Sequence, residues 1–266
     1  MGRVYASTDW HGAGELGAKV LDSLKSDDIL YFLGDAIDRG KDGIYLLDRL
    51  LKDPRVIFIK GNHEYLMELA VPKLLEDDWS DSDNNNFAVS DWFANGGDET
   101  WANIENFNPN KIKCYIKSIK NMPLKKIYHS PLGHDVILEH AGYTPFVPPH
   151  RHHDPLWDRE HFMDIWTYED PIIHKNIKNT YLVHGHTPVQ YLKFYYGYDG
   201  QKQFTKEEMI KKQKFKYGYG DFNVWDPHVI RYCDGHKFDI DLCTIASNKI
   251  VLLDLDTFER TYFCKN

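Results

Sequence analysis

Little in this sequence points to an oxidising or membrane setting. Its four cysteines, Cys114, Cys233, Cys243 and Cys264, are scattered and form no Cys-x-x-Cys pair. That excludes the usual thiolate zinc cage and dithiol redox patterns, and the four read as reduced thiols of a cytoplasmic protein. No apolar run approaches the roughly 20 residues that cross a bilayer. The opening Met1-Gly2-Arg3-Val4-Tyr5 enters strand-like sequence directly, so no signal peptide is expected. Ala6 stands where a myristoylation signal needs Ser or Thr, and no membrane partner is expected. Positive charge is not in excess either. A formal net charge of −8 argues against a general binder of nucleic acid or membrane surface.

What is present is a globular composition, 42% hydrophobic and 27% charged, in 266 residues that suit a single domain carrying insertions. Four short strings stand out: Asp9-Trp10-His11-Gly12, Gly34-Asp35-Ala36-Ile37-Asp38-Arg39-Gly40, Gly61-Asn62-His63-Glu64 and His184-Gly185-His186-Thr187-Pro188. The first three follow apolar runs of strand character at 4–6, 29–33 and 56–59. Ligand-type side chains thus emerge at successive strand ends, the edge where open α/β sheets build their sites. Between the strings, Leu16, Val20, Leu21 and Leu24 recur at helical spacing. Ile44, Leu46, Leu47, Leu50 and Leu51 do the same up to the helix-breaking Pro54. The order β-α-β-α-β predicts parallel strands with right-handed crossovers.

Downstream, an acidic polar stretch precedes helical patterns at 87–92, 98–104 and 111–120, read together as a helical cap inserted at about 76–121. Strand patterns return at 124–128, 135–139 and 181–183, and 250–255 with 258–263 reads as an antiparallel hairpin on a second sheet. Residues 191–231 form a second insertion, with 8 Lys or Arg, 5 Asp or Glu and 11 aromatics among 41 residues. Aromatics interleaved with lysines suit a nucleic acid or nucleotide partner. A twisted hairpin whose tyrosines cover a sheet edge is the favoured reading of the same pattern.

The strings carry metal-site chemistry. Asp9 and His11 can turn to one side, Asp35 can bridge with its two oxygens, and Asn62 offers an amide oxygen. His140, at the end of the 135–139 strand, and His186 add imidazole nitrogens. The donors are hard or borderline with no thiolate, which favours Mn²⁺, Fe or Zn²⁺. Two divalent ions would leave Asp9 and Asp35 short of neutrality, a balance suited to an anionic phosphate and an acidified water.

Together the strings resemble the phosphoprotein phosphatase branch of the calcineurin-like metallophosphoesterases, with its D-x-H-G, G-D-x-x-D-R-G, G-N-H-E, H-A and G-H-T pattern. Trp92 to Thr100 matches the W-x-x-N-G-G-x-x-T of bacterial and phage members, and Leu156-Trp157-Asp158-Arg159 is similar to their L-W-x-R. The resemblance implies an α/β fold with a two-sheet β-sandwich core flanked by helices (α/β/β/α). It implies two divalent ions, Mn²⁺ first, with one on Asp9, His11 and Asp35 and the second on Asp35, Asn62, His140 and His186. His63, oriented by Asp38, would protonate the leaving oxygen, while Arg39 and Arg159, with Asn62, would hold the phosphate. The implied function is hydrolysis of phosphomonoesters by metal-activated hydroxide, with a phosphorylated protein or small phosphoester as substrate and serine/threonine phosphatase as the leading reading. Hydrolysis of dinucleoside polyphosphates or of nucleic-acid phosphate ends is the alternative, and an inactive phosphate-binding module is a third.

Some residues carry plainer readings. His184 lies inside the strand end and reads as structural, and Arg151 competes with Arg159 for the phosphate. His150, His152 and His153 cluster in the same loop. Trp10, where the family keeps a small aliphatic residue, is expected to wall one side of the site.

Overall fold

The computed structural model describes residues 2–76, 85–142, 154–159, 179–190, 227–232 and 235–265. The first sheet runs in the order β10-β9-β1-β2-β3. Its strands are β1 (Val4–Ser7), β2 (Ile29–Phe32), β3 (Val56–Phe58), β9 (Lys249–Asp254) and β10 (Arg260–Cys264). β1, β2 and β3 are parallel, as their alternation with α1 (Gly14–Ser23) and α2 (Gly43–Lys52) predicts. The second sheet runs β4-β5-β6-β8-β7, from β4 (Lys125–His129), β5 (Asp135–Glu139), β6 (Thr180–His184), β7 (Ile230–Tyr232) and β8 (Lys237–Asp239). Its three central strands are parallel and its two edges antiparallel.

One expectation is overturned. The closing β9-β10 hairpin belongs to the first sheet, where β9 pairs antiparallel with β1 through Tyr5↔Asp254 and Ala6↔Leu253. The reason lies in its side chains. Ile250 and Leu252 enter the helix-side core, while Val251 and Leu253 enter the core between the sheets. A strand apolar on both faces needs cover on both, which the interior of the first sheet provides.

Helices α1, α2, α3 (Asn62–Leu75), α4 (Asn85–Ala94), α5 (Gly97–Ile104) and α6 (Pro109–Lys120) contribute to one apolar cluster on the open face of the first sheet. α2 buries Ile44, Leu46, Leu47 and Leu50 on one stripe and ends at Lys52, with Asp53 extended before Pro54. α6 starts where Asn108 accepts from the backbone N–H of Asn110 at 2.9 Å, with Pro109 in its first turn. Val89, Trp92, Ile104, Ile112, Tyr115 and Ile119 of the later helices join that core and reach full or near-full burial. The second apolar cluster lies between the sheets, built from Ala6, Leu33, Ile59, Val136, Leu138, Val183 and Phe238 among others.

Arg151, the 150–153 histidines, Cys233 and residues 191–226 of the second insertion lie outside the described residues. Among the described residues, no helix is long and apolar enough to cross a membrane.

Candidate metal centre

The carboxyl ends of six parallel strands, three from each sheet, meet at one edge of the sandwich. β1 delivers Asp9 and His11, β2 delivers Asp35 to Arg39, β3 delivers Asn62 and His63, β5 delivers His140, and β6 delivers His186. Backbone bonds continue the β1–β2 ladder into the loops: Asp9 N–H donates to Gly34 O at 3.0 Å, His11 to Asp35 O at 2.9 Å and Gly12 to Ala36 O at 2.9 Å. The loops also touch backbone to backbone. A Cβ on Gly34, whose φ is +97°, would lie 2.4 Å from Gly61 Cα and N, so only glycine fits there.

Among the described residues that the strand-end strings bring to this edge, Asp9 (54°), His11 (41°), Asp35 (61°), Asp38 (67°), Arg39 (65°) and His186 (68°) hold positive φ. Left-handed backbone costs an L-residue about 1–2 kcal/mol. Such strain persists only where the surroundings over-determine it, and it concentrates at functional sites.

Each carboxylate is anchored through one oxygen and aims the other inward. Asp9 Oδ2 accepts from the Thr8 hydroxyl at 2.6 Å and from His186 N–H at 3.0 Å. Its Oδ1 stands 3.7 Å from His11 Nε2. Asp35 Oδ1 accepts from His63 N–H, in the first turn of α3, at 3.0 Å. Asp35 Oδ2 then sits 3.6 Å from His11 Nε2, 3.5 Å from His140 Nε2 and 3.8 Å from His63 Nε2. Donor atoms of His11, Asp35 and His63, and again of Asp35, His140 and His186, lie within 4.8 Å of one another. Asp35 is common to both groups.

The hydrogen-bond directions fit a cation better than a proton. His11 Nδ1 faces the Ile37 carbonyl at 3.1 Å and His140 Nδ1 faces the Leu33 carbonyl at 2.7 Å. A carbonyl only accepts, so both Nδ1 atoms donate and both Nε2 atoms of the neutral rings present lone pairs. His140 Nε2 then meets Asn62 Oδ1, another acceptor, at 2.8 Å. His186 Nδ1 approaches the same oxygen at 2.9 Å, and its buried Nε2 has no hydrogen-bond partner among the described residues. His140 Nε2 and Asn62 Oδ1 therefore face each other as two acceptors with no proton to share, the arrangement that ligands take around a metal. Ligands about 2.1 Å from one ion stand roughly 3–3.5 Å apart, close to the Asp35 separations.

Electrostatics point the same way. Burial first, then Asp9 and Glu64, holds the Asp35 carboxyl well above its ordinary range. Burial, then neighbouring imidazole or guanidinium charge, holds His11 and His186 well below theirs. His140 is lowered as well, again chiefly by burial. The imidazoles therefore stay neutral, while the crowded carboxylates lack a counter-charge.

Beside the cluster runs a second chain of bonds. Arg39 donates from Nη1 to His11 Nε2 at 3.0 Å and from Nη2 to His63 Nε2 at 2.9 Å. His63 Nδ1 meets Asp38 Oδ2 at 2.7 Å, and both residues are fully buried. Burial pushes Asp38 up to about 7 and holds His63 well below its ordinary value. The neighbours decide where the shared proton sits. The Trp92 Nε1–H and the Thr100 hydroxyl both donate to Asp38, at 2.9 and 2.6 Å, which lowers its proton affinity within the pair and leaves the shared proton on His63 Nδ1.

Several participants were missed at the sequence level. Glu64, quoted in its string without a role, accepts from Asp35, Ala36 and Gly61 N–H at 2.8, 2.9 and 3.0 Å and so ties the β2 loop to the start of α3. Its place three residues after Gly61, in a capping-box position, was the available signal. Asp239 and Asp241, at the end of β8, are buried beside the His184–His186 loop, with Ile240 N–H donating to His184 O at 3.0 Å. Burial raises both carboxyls well above the ordinary range. An acidic pair after a three-residue strand gave too short a pattern to find. Arg159 reaches the site edge, where its Nη1 donates to Thr187 Oγ1 at 3.1 Å. His184 is buried, its Nδ1 3.0 Å from Gly185 O, and burial lowers it to about 3.

Trp10 does not wall the site. It is fully buried on the helix side, with Nε1 donating to Ser7 Oγ at 2.8 Å and its ring edge-on to Phe32 at 4.7 Å. Asp9 and His11 turn to the site through left-handed backbone in the loop after β1, and Trp10 between them is carried into the helix-side core.

The fold has known counterparts. A protein provisionally described as a diadenosine tetraphosphatase superposes with a TM-score of 0.52 at 16% identity, over 100% of this chain and 95% of that one. A protein serine/threonine phosphatase from Saccharomyces cerevisiae, with similarity to human phosphatase PP5, gives 0.52 at 12% identity over 99% and 80%. At such identities the likeness is one of fold. No curated protein sequence matches. The calcineurin-like phosphoesterase family model matches residues 2–220, and on that span, with the strand-end donor cluster, the chain belongs to the calcineurin-like phosphoesterases.

Proposed function

We propose that the chain hydrolyses phosphomonoesters at a binuclear metal centre and that its substrates are phosphoserine and phosphothreonine in proteins. One observation carries the reading: acceptor atoms of Asp9, His11, Asp35, Asn62, His140 and His186 converge, while Arg39, His63 and Asp38 form a connected chain beside them. Asp9, His11 and Asp35 would hold one ion, and Asp35, Asn62, His140 and His186 the other, with Mn²⁺ the expected metal. Bound there, a divalent pair neutralises the phosphate and acidifies the attacking water.

The chain's own residues supply the rest. Arg39 turns its fork from the two imidazoles onto the non-bridging oxygens of an incoming phosphate, and Arg159 closes from the Thr187 side. Once Arg39 leaves it, His63 Nε2 is free to hold a proton and give it to the leaving oxygen, while Asp38 stabilises the doubly protonated ring from Nδ1. No covalent phosphoenzyme is involved.

The test is a panel of p-nitrophenyl phosphate, a phosphoserine peptide, diadenosine tetraphosphate and a 3′-phosphorylated oligonucleotide, assayed with Mn²⁺. Turnover of the peptide above the nucleotides supports the reading. Preference for diadenosine tetraphosphate would instead favour the dinucleotide alternative, to which the half-buried Trp157, 5.9 Å edge-on from His186, could lend a stacking face. No turnover of any phosphoester would leave a phosphate-binding module.

A further inference from the structure

The segment from Trp92 to Thr100 closes over the proton chain from outside the strand-end strings. Trp92, on α4, donates to Asp38 Oδ2 at 2.9 Å, the oxygen that His63 Nδ1 meets at 2.7 Å. Thr100, on α5, donates to Asp38 Oδ1 at 2.6 Å while accepting from Asp38 N–H at 3.0 Å. Its lone pair is engaged by that N–H, so the hydroxyl proton points at the carboxylate. Between them, Gly96 O accepts from Arg39 N–H at 3.0 Å. Gly97 lies flat on the indole, where a Cβ would come within 2.4 Å of the ring. Both oxygens of Asp38 are thus fixed by donors that cannot rotate away, and Trp92, Thr100, Asp38 and His63 are all buried.

We propose that Trp92 and Thr100 are positioning residues for proton donation: acting only through Asp38, they fix the direction in which His63 Nε2 presents its proton to the leaving oxygen. The inference rests on the assignment of His63 as the donor. A carboxylate held by only one of the two can rock about its side-chain bonds and swing the imidazole with it. A donor displaced by a fraction of an ångström matters most where the leaving oxygen is basic and needs its proton. A phenolate-type leaving group such as p-nitrophenolate departs without one.

The experiment compares wild type, Trp92→Phe, Thr100→Val, Thr100→Ser and His63→Asn, all loaded with Mn²⁺, on p-nitrophenyl phosphate and on an alkyl phosphate. Trp92→Phe and Thr100→Val should each lower kcat on the alkyl phosphate about tenfold, the equivalent of one hydrogen bond, with KM unchanged. On p-nitrophenyl phosphate the fall should stay within about threefold by the same leaving-group argument. Thr100→Ser should keep the wild-type ratio between the two substrates. Adding Trp92→Phe to His63→Asn should lower the rate no further, since the path runs through one imidazole. An equal fall on both substrates, or an unchanged ratio in both Trp92→Phe and Thr100→Val, would overturn the positioning role if His63→Asn itself shows the leaving-group effect. If His63→Asn shows no such effect, the donor assignment fails first and the positioning role with it.

Discussion

Replacing Trp10 by alanine separates the stability of the core from the geometry of the metal centre. Trp10 is fully buried between Asp9 and His11, whose φ values of 54° and 41° are left-handed. Its indole is fixed by Ser7 Oγ at 2.8 Å, by Phe32 at 4.7 Å and by Gly17, where an added Cβ would fall 2.8 Å from the ring. Truncating a buried aromatic costs about 3–5 kcal/mol in lost transfer and cavity terms. At about 2–4 °C per kcal/mol for a chain of this size, Tm should fall by roughly 10 °C. The second effect is local. Without the anchor, one of the two strained residues can relax and gain about 1–2 kcal/mol, which metal binding must then reverse. That corresponds to about tenfold weaker binding. Leu50→Ala is the control, since Leu50 is equally buried in the same cluster but sits on α2 away from the loops. Thermal denaturation and Mn²⁺ titration calorimetry, run at 25 °C where both variants are folded, measure the two effects. Equal metal affinities in the two variants would refute the view that Trp10 holds the ligand loop in its strained form.

The metal-free protein should lose stability as pH rises from about 7.5 to about 9. Burial raises Glu64 and Asp38 to about 7 and Asp35, Asp239 and Asp241 well above their ordinary range, so the stability these carboxyls contribute is present at low pH and lost as pH rises through their folded values. The buried imidazoles of His11, His63, His140, His184 and His186 are lowered and contribute with the opposite sign, but that gain is nearly complete once the unfolded imidazole has lost its proton, so above about 7.5 it offsets little. Denaturation midpoints across that range with EDTA check the sign, and the Tm gain on adding Mn²⁺ should grow with pH as the carboxylates ionise. Asp9→Asn should reduce bound Mn²⁺ from two ions per chain to one by elemental analysis, because the inward Oδ1 loses its charge while Oδ2 keeps its anchors. Gly34→Ala should cost at least about 2 kcal/mol in urea unfolding and weaken metal binding, since the new Cβ meets the Gly61 backbone at 2.4 Å.

What the sequence by itself determined was the first half of the architecture and the placing of the polar strings at its strand ends. Apolar runs ending in Asp, Asn and His, separated by helices of regular period, require parallel strands with those residues at one edge. Local pattern suffices there because each of the first three strings starts within three residues of the end of its strand. Tertiary structure decided the remainder. The closing hairpin reads the same for either sheet, and only the need to cover both of its apolar faces places it beside β1. Trp10 reads in the sequence as a wall of the site, but the left-handed backbone at Asp9 and His11 in the loop after β1 carries it into the core. Glu64, Asp239 and Asp241 take their importance from contacts 28 or 29 residues away for Glu64, and from a neighbouring strand end for the two aspartates. Trp92 and Thr100 were visible as a motif, but their common target, Asp38, lies 54 and 62 residues back along the chain. Such convergence is set by packing of helices on a sheet, which no local periodicity encodes.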